Sequence, residues 1–211
     1  MVNDTQILNN GYPIPNIGLG VYKITDEEME TTVQTALEAG YRAFDTAYFY
    51  GNEQALGKAL RNSDIPREDL FITSKLWNDF QGYNNTLAYF NASLERLGLD
   101  YIDLYLIHWP CEKDDLYIES YKALEQLYHE GKVKAIGVCN FKEHHLEKLM
   151  DATDIVPQVN QIEVHPYFNQ QEMQDYCDKH DIVVTAWMPL MRNRGLLDNP
   201  VITKLTERYE K

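Results

Sequence analysis

The sequence predicts an α/β fold built on a parallel sheet of seven strands, and three observations support this prediction. Short apolar runs rich in β-branched or aromatic residues recur along the chain, as expected of buried strands. Stretches with the apolar spacing of an amphipathic helix separate these runs. Strands that alternate with helices form right-handed βαβ units, so the strands are expected to be parallel. With 211 residues and 44% hydrophobic content, the chain can build one substantial core, and we expect a single domain over residues 1–211.

The first predicted element is a short hairpin, because residues 8–12 (LNNGY) place an Asn-Gly turn between two strand-like runs. Seven strand-and-helix units are expected after it, with strands that begin near Gly18, Arg42, Leu70, Tyr101, Val133, Pro157 and Ile182. The runs that mark the last five strands cover 70–73, 101–107, 133–138, 158–162 and 182–186. Each is short and mainly apolar, which is typical of a strand buried on both faces.

Helices are predicted where apolar residues recur every three or four positions. Three such sets are Met29, Val33, Ala36 and Leu37; Leu87, Phe90, Leu94 and Leu97; and Ile118, Tyr121, Leu124, Leu127 and Tyr128. Gly40, Gly98 and Gly131 follow these sets, at the place where a helix end favours a residue that tolerates positive φ. Residues 196–211 are expected to begin the seventh helix.

Seven parallel strands are compatible with three arrangements. The sheet could be open and doubly wound, it could be a complete smaller fold, or it could be an eight-stranded barrel without its last βα unit. A dinucleotide-binding doubly wound fold is disfavoured, because Gly18-Leu19-Gly20 supplies only the first two glycines of the motif that opens its first helix.

Charge and cysteine content narrow the class of protein. The formal net charge of −14 disfavours nucleic-acid and membrane partners, because an acidic surface repels phosphates. The sequence begins without a basic leader followed by an apolar stretch, and no apolar run is long enough to span a bilayer. Cys111, Cys139 and Cys177 are an odd number at spacings that match neither a metal knuckle nor a redox pair. These features indicate a cytoplasmic protein with reduced thiols.

Four polar residues fall at or just after the ends of predicted strands. Asp45 closes the second strand, Tyr50 lies in the loop after it, Lys75 ends the third strand and His108 ends the fourth. Barrel enzymes build their active sites from the carboxyl ends of strands and the loops that follow. A single residue of these types is usually structural or merely exposed, but four at one edge favour a catalytic site.

At these positions the chain resembles the aldo-keto reductases. The matching segments are 44–53 (FDTAYFYGNE), 73–77 (TSKLW), 99–110 (LDYIDLYLIHWP), 131–141 (GKVKAIGVCNF) and 159–166 (VNQIEVHP). The resemblance covers essentially the whole chain. Residues 77–78 (WN) and 186–190 (AWMPL) are most similar to the bacterial glyoxal, methylglyoxal and 2,5-diketogluconate reductases.

The resemblance implies a (β/α)8 TIM barrel with an N-terminal β-hairpin. It also implies that the chain lacks the end of helix 7, strand 8, helix 8 and the C-terminal loop. The implied activity is NADPH-dependent reduction of aldehydes and activated ketones, such as glyoxal, methylglyoxal or diketo sugar acids, to alcohols. Preference for NADPH over NADH is inferred from the family alone.

Carbonyl reduction requires a hydride on carbon and a proton on the developing alkoxide, so an acid must lie within hydrogen-bond reach of the oxygen. Tyr50 is the predicted acid. A free phenol has a pKa of about 10, and we expect the nearby Lys75 ammonium to bring the pKa of Tyr50 towards neutrality while Asp45 holds Lys75 charged. By resemblance, His108 orients the carbonyl oxygen.

The remaining site residues are assigned by resemblance to the family. Those expected to hold the cofactor are Asn140, Gln161, Trp187 and Leu190, with Trp187 stacked on the nicotinamide ring. Those expected to line the substrate pocket are Tyr22, Phe49, Trp77, His108 and Trp109. Cys139 replaces a common serine beside Asn140 and offers a weaker hydrogen bond. No metal is expected, although His144, His145 and His165 could suggest one, because adjacent histidines point in different directions.

Two functional hypotheses remain at this stage. The first is an active reductase with a small carbonyl substrate, monomeric as the full-length family is expected to be. The second is a catalytically inactive, truncated barrel fragment that is unstable or needs a partner chain, because strands without a neighbour expose unpaired backbone groups. Self-association is the expected result if the truncation is real.

Overall fold

A two-stranded hairpin precedes a seven-stranded parallel sheet in the structure, a computed structural model that describes residues 4–111 and 113–209. The antiparallel hairpin consists of β1 (Thr5–Ile7) and β2 (Pro13–Pro15). The strands of the sheet are β3 (Gly18–Gly20), β4 (Ala43–Asp45), β5 (Phe71–Leu76), β6 (Ile102–Ile107), β7 (Val133–Cys139), β8 (Val159–Glu163) and β9 (Val183–Trp187). The predicted hairpin and the seven predicted strands are therefore confirmed.

One helix follows each strand of the sheet. The helices are α1 (Asp26–Glu38), α2 (Glu53–Arg61), α3 (Tyr83–Leu97), α4 (Leu116–His129), α5 (Glu143–Met150), α6 (Gln171–Lys179) and α7 (Pro200–Tyr209). Thr25 and Glu28 form a capping box at the start of α1. Gly98 ends α3 with φ of +64°, as the glycine after a helical stretch predicts.

The order of the strands decides between the arrangements that the sequence allowed. Each strand pairs with the next one along the chain, from β3 to β9, whereas a doubly wound sheet reverses its order at a switch point. The side chain of Gln161 in β8 also hydrogen-bonds that of Asp45 in β4, four strands away. Such a contact requires the sheet to curl, so the seven strands form a nearly closed barrel, with β3 and β9 as its outer strands.

The hairpin covers the amino end of this barrel. Leu8 and Ile14 pack with Leu104 and Val159 inside it, and the side-chain amide of Asn9 donates to the carbonyl oxygens of residues 157 and 181 that precede β8 and β9. A second, larger core lies between the sheet and the helices. Because the hairpin covers the amino end, the carboxyl ends of the strands form the accessible mouth.

A buried charge stabilises the covered end. The Asp103 carboxylate accepts hydrogen bonds from Tyr12 Oη at 2.7 Å, from Arg67 Nη2 at 2.6 Å and from the backbone N–H of Ile72 at 2.8 Å. Burial raises the pKa of Asp103, although Arg67 opposes this shift. The group links the hairpin to β5 and β6.

Close packing of α2 on α3 depends on Gly57. A Cβ atom at this position would lie 2.0 Å from the backbone oxygen of Leu97, so only glycine allows the two helices to approach this closely. Among the residues that the structure describes, no helix is long and apolar enough to cross a membrane.

Candidate active site

Side chains from the ends of three strands and from one loop meet at the mouth of the barrel. Asp45 is the last residue of β4, Lys75 lies near the end of β5 and His108 follows β6 directly. Tyr50 ends a short 3₁₀ turn, Tyr48–Tyr50, after β4. Because parallel strands end at the same edge, residues far apart in the sequence are brought together here, as the sequence predicted.

Lys75 is fully buried, and its ammonium group has three partners. Nζ lies 2.5 Å from Asp45 Oδ1, 2.9 Å from the backbone oxygen of Thr46 and 3.4 Å from Tyr50 Oη. Burial is the largest single influence and would lower the pKa of Lys75, but Asp45, Tyr50 and Cys139 together outweigh burial, so the pKa is raised. Lys75 is therefore a cation whose three N–H donors are all used.

The phenol of Tyr50 stays protonated at neutral pH. Burial raises the pKa of Tyr50, and this effect exceeds the lowering caused by the Lys75 ammonium. The expectation that Lys75 brings this pKa towards neutrality was therefore wrong. The sequence identified the nearby charge but could not give the burial of the phenol.

His108 is neutral over the whole physiological range. Burial lowers the pKa of His108 to about 3, and Lys75 adds to the shift. Its ring centroid lies 5.9 Å from that of Tyr50 and 5.3 Å from that of Trp77. His108 Nδ1 is buried and has no hydrogen-bond partner among the described residues, so this nitrogen is available to a ligand.

Two amide side chains lie beside this group. Asn140 has φ of +62°, donates from Nδ2 to the backbone oxygen of His108 at 3.0 Å, and accepts from Trp187 Nε1 at 2.9 Å. Gln161 donates from Nε2 to Asp45 Oδ2 at 2.9 Å, and its Oε1 lies 3.9 Å from the thiol sulfur of Cys139. Leu190 follows β9, is 60% exposed and does not join these contacts.

Aromatic side chains wall one side of the mouth. Phe49 and Trp77 stack with ring centroids 3.9 Å apart, and the ring of Tyr22 lies 4.8 Å from that of Tyr50. Trp109 is 42% exposed, and its carbonyl oxygen accepts a hydrogen bond from Gln81. Phe49 and Trp77 also lie edge-on to His108, and the expected role of these aromatic residues in lining a substrate pocket stays a prediction.

A cavity of about 570 Å³ adjoins this wall without including the polar group. Its lining residues are Tyr48, Phe49, Gly51, Glu53, Trp77, Asp79, Phe80 and Arg96. Asp45, Tyr50, Lys75 and His108 are absent from that lining. The buried polar group and this cavity are therefore separate features that meet at Phe49 and Trp77.

Two residues of the site were not assigned from the sequence. Asn52 accepts a hydrogen bond from Thr46 Oγ1 at 2.8 Å and donates to the backbone oxygen of Val21 at 2.8 Å, which ties the loop of Tyr22 to that of Tyr50. Asn52 lies within segment 44–53, and the resemblance of this segment to the aldo-keto reductases was the sequence signal available for Asn52. Arg192, whose guanidinium carbon lies 5.1 Å from the Tyr22 ring centroid, had none.

The described residues contain no group of three or more His, Cys, Asp or Glu side chains that could hold a metal ion. His145 Nδ1 accepts a hydrogen bond from the backbone of Lys142 at the start of α5, and His165 lies beside Glu163. These contacts give both histidines structural partners.

Comparison with known proteins adds three findings. The aldo/keto reductase family model matches residues 16–208. The glyoxal reductase of Bacillus subtilis is 50% identical over all of this chain, which spans 75% of that protein, and the methylglyoxal reductase DkgA of Escherichia coli O157:H7 is 46% identical over all of it, spanning 77%. The crystal structure of a variant of Gox0644 in complex with NADPH matches with a TM-score of 0.93 and 41% identity, over 100% of this chain and 76% of that one.

Proposed function

Because the chain belongs to the aldo/keto reductase family and is thus an NAD(P)H-dependent oxidoreductase, we propose that it reduces small aldehydes and activated ketones to alcohols with NADPH. The observation that carries the proposal is the hydrogen-bonded row of Asp45, Lys75 and Tyr50 beside the neutral His108. The names of the relatives support glyoxal and methylglyoxal as first substrates to test, and diketo sugar acids are further candidates.

When bound, the nicotinamide cofactor supplies the hydride. Asn140 and Gln161 would hold its carboxamide, and Trp187 would lie against the ring. The side chains fit this group, because each amide keeps hydrogen-bonding capacity beyond its contacts within the protein. His108 Nδ1, buried and without a hydrogen-bond partner among the residues that the structure describes, adds a further polar atom. The NADPH complex of a structural neighbour supports this choice of cofactor.

Tyr50 supplies the proton. Its raised pKa keeps the phenol protonated, which is the form that a reduction requires of an acid. Once the proton has moved to the carbonyl oxygen, the phenolate left behind lies 3.4 Å from the Lys75 ammonium. Lys75 therefore acts mainly by stabilising the charge that develops during the reaction, and Asp45 fixes Lys75 in place.

His108 orients the substrate. A neutral imidazole carries one N–H, which can hydrogen-bond the carbonyl oxygen without competing as a stronger acid. Its ring packs edge-on against Trp77, which fixes the imidazole plane. Phe49, Trp77, Tyr22 and Trp109 would give the pocket an apolar wall, which suits small carbonyl compounds of varied shape.

We place this activity in the cytoplasm, in a monomeric protein without nucleic-acid or membrane partners. All three cysteines are free of disulfides, and Cys139 and Cys177 are buried, which suits a reducing compartment. The net charge of −14 supports the absence of anionic polymer partners.

The test combines cofactor binding with turnover. NADPH is titrated into the purified chain by tryptophan fluorescence, and NADPH oxidation is then followed with glyoxal, methylglyoxal and 2,5-diketogluconate. We expect saturable binding and substrate-dependent oxidation. A folded protein that neither binds NADPH nor reduces any of these compounds would overturn the proposal and favour an inactive barrel fragment that depends on a partner.

A further inference from the structure

Gln161 hydrogen-bonds Asp45 directly, although it was expected only to hold the cofactor. Its Nε2 donates to Asp45 Oδ2 at 2.9 Å, while the other oxygen of the same carboxylate lies 2.5 Å from Lys75 Nζ. The two carboxylate oxygens of Asp45 therefore have different partners, one an amide and one an ammonium. This arrangement fixes the rotation of the carboxylate.

The hydrogen bond between Gln161 and Asp45 crosses the interior of the barrel. Asp45 ends β4 and Gln161 lies in β8, and three strands separate them in the sheet. Gln161 is buried, and it pairs in register with Cys139 of β7, whose thiol lies 3.9 Å from Gln161 Oε1. A hydrogen bond in such surroundings is stronger than the same bond in water. The amide is thus oriented at its nitrogen by Asp45 and at its oxygen by Cys139.

From this geometry we infer that Gln161 is a positioning residue for Tyr50, acting through Asp45 and Lys75. Asp45 and Lys75 act on Tyr50 in opposite directions, since the carboxylate disfavours the phenolate and the ammonium favours it. The N–H of Gln161 offsets part of the carboxylate charge and keeps Oδ1 on Lys75. Loss of this N–H leaves more of the Asp45 charge facing the phenol and makes Tyr50 harder to ionise.

This role is compatible with cofactor binding. A primary amide has two N–H donors and two acceptor lone pairs, and Asp45 takes only one donor. One N–H and one lone pair remain for a carboxamide. The groups that face Tyr50 are Lys75, Asp45, Cys139 and the rings of Tyr22 and His108, and of these only Asp45 hydrogen-bonds Gln161 through its amide nitrogen.

The first experiment measures the ionisation of Tyr50 without cofactor. Tyrosinate absorbance is titrated from pH 8 upwards in the protein and in Tyr50→Phe, and the difference isolates Tyr50 from the other tyrosines. The same pair is then titrated with Gln161→Leu added. We expect Gln161→Leu to move the Tyr50 midpoint upward by at least ~0.5 pH units, and Gln161→Glu to move it further, because it adds a second negative charge.

The control is Asn140→Gly, which removes the other amide and keeps the φ of +62° accessible. It should leave the Tyr50 midpoint within ~0.2 pH units of the parent protein. An unchanged midpoint in Gln161→Leu, with the fold intact by circular dichroism, would overturn the inference.

A second experiment follows the alkaline limb of kcat/KM for methylglyoxal with NADPH, and this part alone rests on the proposed function. In Gln161→Leu, the alkaline limb of kcat/KM should move in the same direction as the absorbance midpoint of Tyr50. In Asn140→Gly, the NADPH Kd should rise while the alkaline limb stays in place. A shifted midpoint without turnover would retain the inference and refute the reductase proposal. A limb that stays in place while the midpoint moves would contradict the link between Gln161 and the reacting proton.

Discussion

Replacing Lys75 by methionine tests how much the buried ammonium contributes to the proposed reaction. Methionine keeps most of the length of the side chain and removes the charge that lies 3.4 Å from Tyr50 Oη. At an effective dielectric constant of about 20, unit charges at this separation interact by about 5 kcal/mol. The Asp45 carboxylate opposes part of this interaction, which leaves roughly 2–4 kcal/mol for a developing phenolate.

A loss of this size corresponds to a fall in kcat/KM of about 30-fold to 10³-fold. The assay is NADPH oxidation with methylglyoxal at saturating and limiting substrate, with NADPH Kd measured separately by fluorescence. Lys122→Met, at an exposed lysine of α4 that pairs with Glu119, is the matched control and should retain full activity.

Lys75→Met also leaves Asp45 without its charged partner, so lost activity could come from unfolding. The double variant with Asp45→Asn removes both charges and should regain part of the stability that the single variant loses, since an unpaired buried charge costs about 3–5 kcal/mol. It should not regain activity. Turnover within about threefold of the parent protein in a folded Lys75→Met would refute the electrostatic role of Lys75.

Two further predictions concern stability. Between about pH 6.5 and pH 3 an unfolded histidine takes up a proton while His108, with a pKa of about 3, stays neutral, so acidification through this window should favour unfolding by up to about 1.4 kcal/mol per pH unit. Urea denaturation of the protein and of His108→Gln at several pH values measures this, and identical pH dependence of the two would contradict it. Asp103→Ala should destabilise the fold by about 3 kcal/mol or more, because Tyr12 of the hairpin, the Arg67 guanidinium and the backbone N–H of Ile72 each lose a buried acceptor. Asp103→Ala should keep the kcat of its folded fraction, and a loss of kcat without loss of stability would be the contrary result.

The strands of the barrel could be predicted well because each one is marked by a local run of apolar residues. Runs at 133–138 and 182–186 are mainly apolar, and the structure places the buried β7 and the partly buried β9 there within a few residues. Strand β5 continues to Leu76, one residue beyond Lys75, which was predicted to end it. The apolar run itself stops at residue 73, because Ser74 and Lys75 are polar yet buried against partners from other elements, Glu53 and Asp45.

Helix α2 shows a second limit of local patterns. The segment 53–61 is short and carries a glycine, so it did not stand out as a helix. Its position is fixed by packing, since Gly57 allows its backbone to approach that of Leu97 in α3. The position of such a helix depends on a tertiary contact, and that contact cannot be predicted from the local pattern of a single sequence.

The position of the candidate site could be predicted from the sequence, but the direction of the Tyr50 pKa shift and the contact of Gln161 could not. Strand ends brought Asp45, Lys75 and His108 together as expected. The direction of the Tyr50 pKa shift depends on burial by neighbouring loops, which no spacing rule gives. The bond between Gln161 and Asp45 joins residues 116 positions apart, so it becomes visible only once the sheet has curled.

The central claim is that the phenol of Tyr50 supplies the proton. Tyr50→Phe removes only the hydroxyl group, so the most direct measurement compares kcat for methylglyoxal and NADPH Kd in this variant with those of the parent protein. We expect kcat to fall by about 10² or more while NADPH Kd changes by less than about threefold. A folded Tyr50→Phe protein that reduces methylglyoxal at a rate close to that of the parent would contradict the claim.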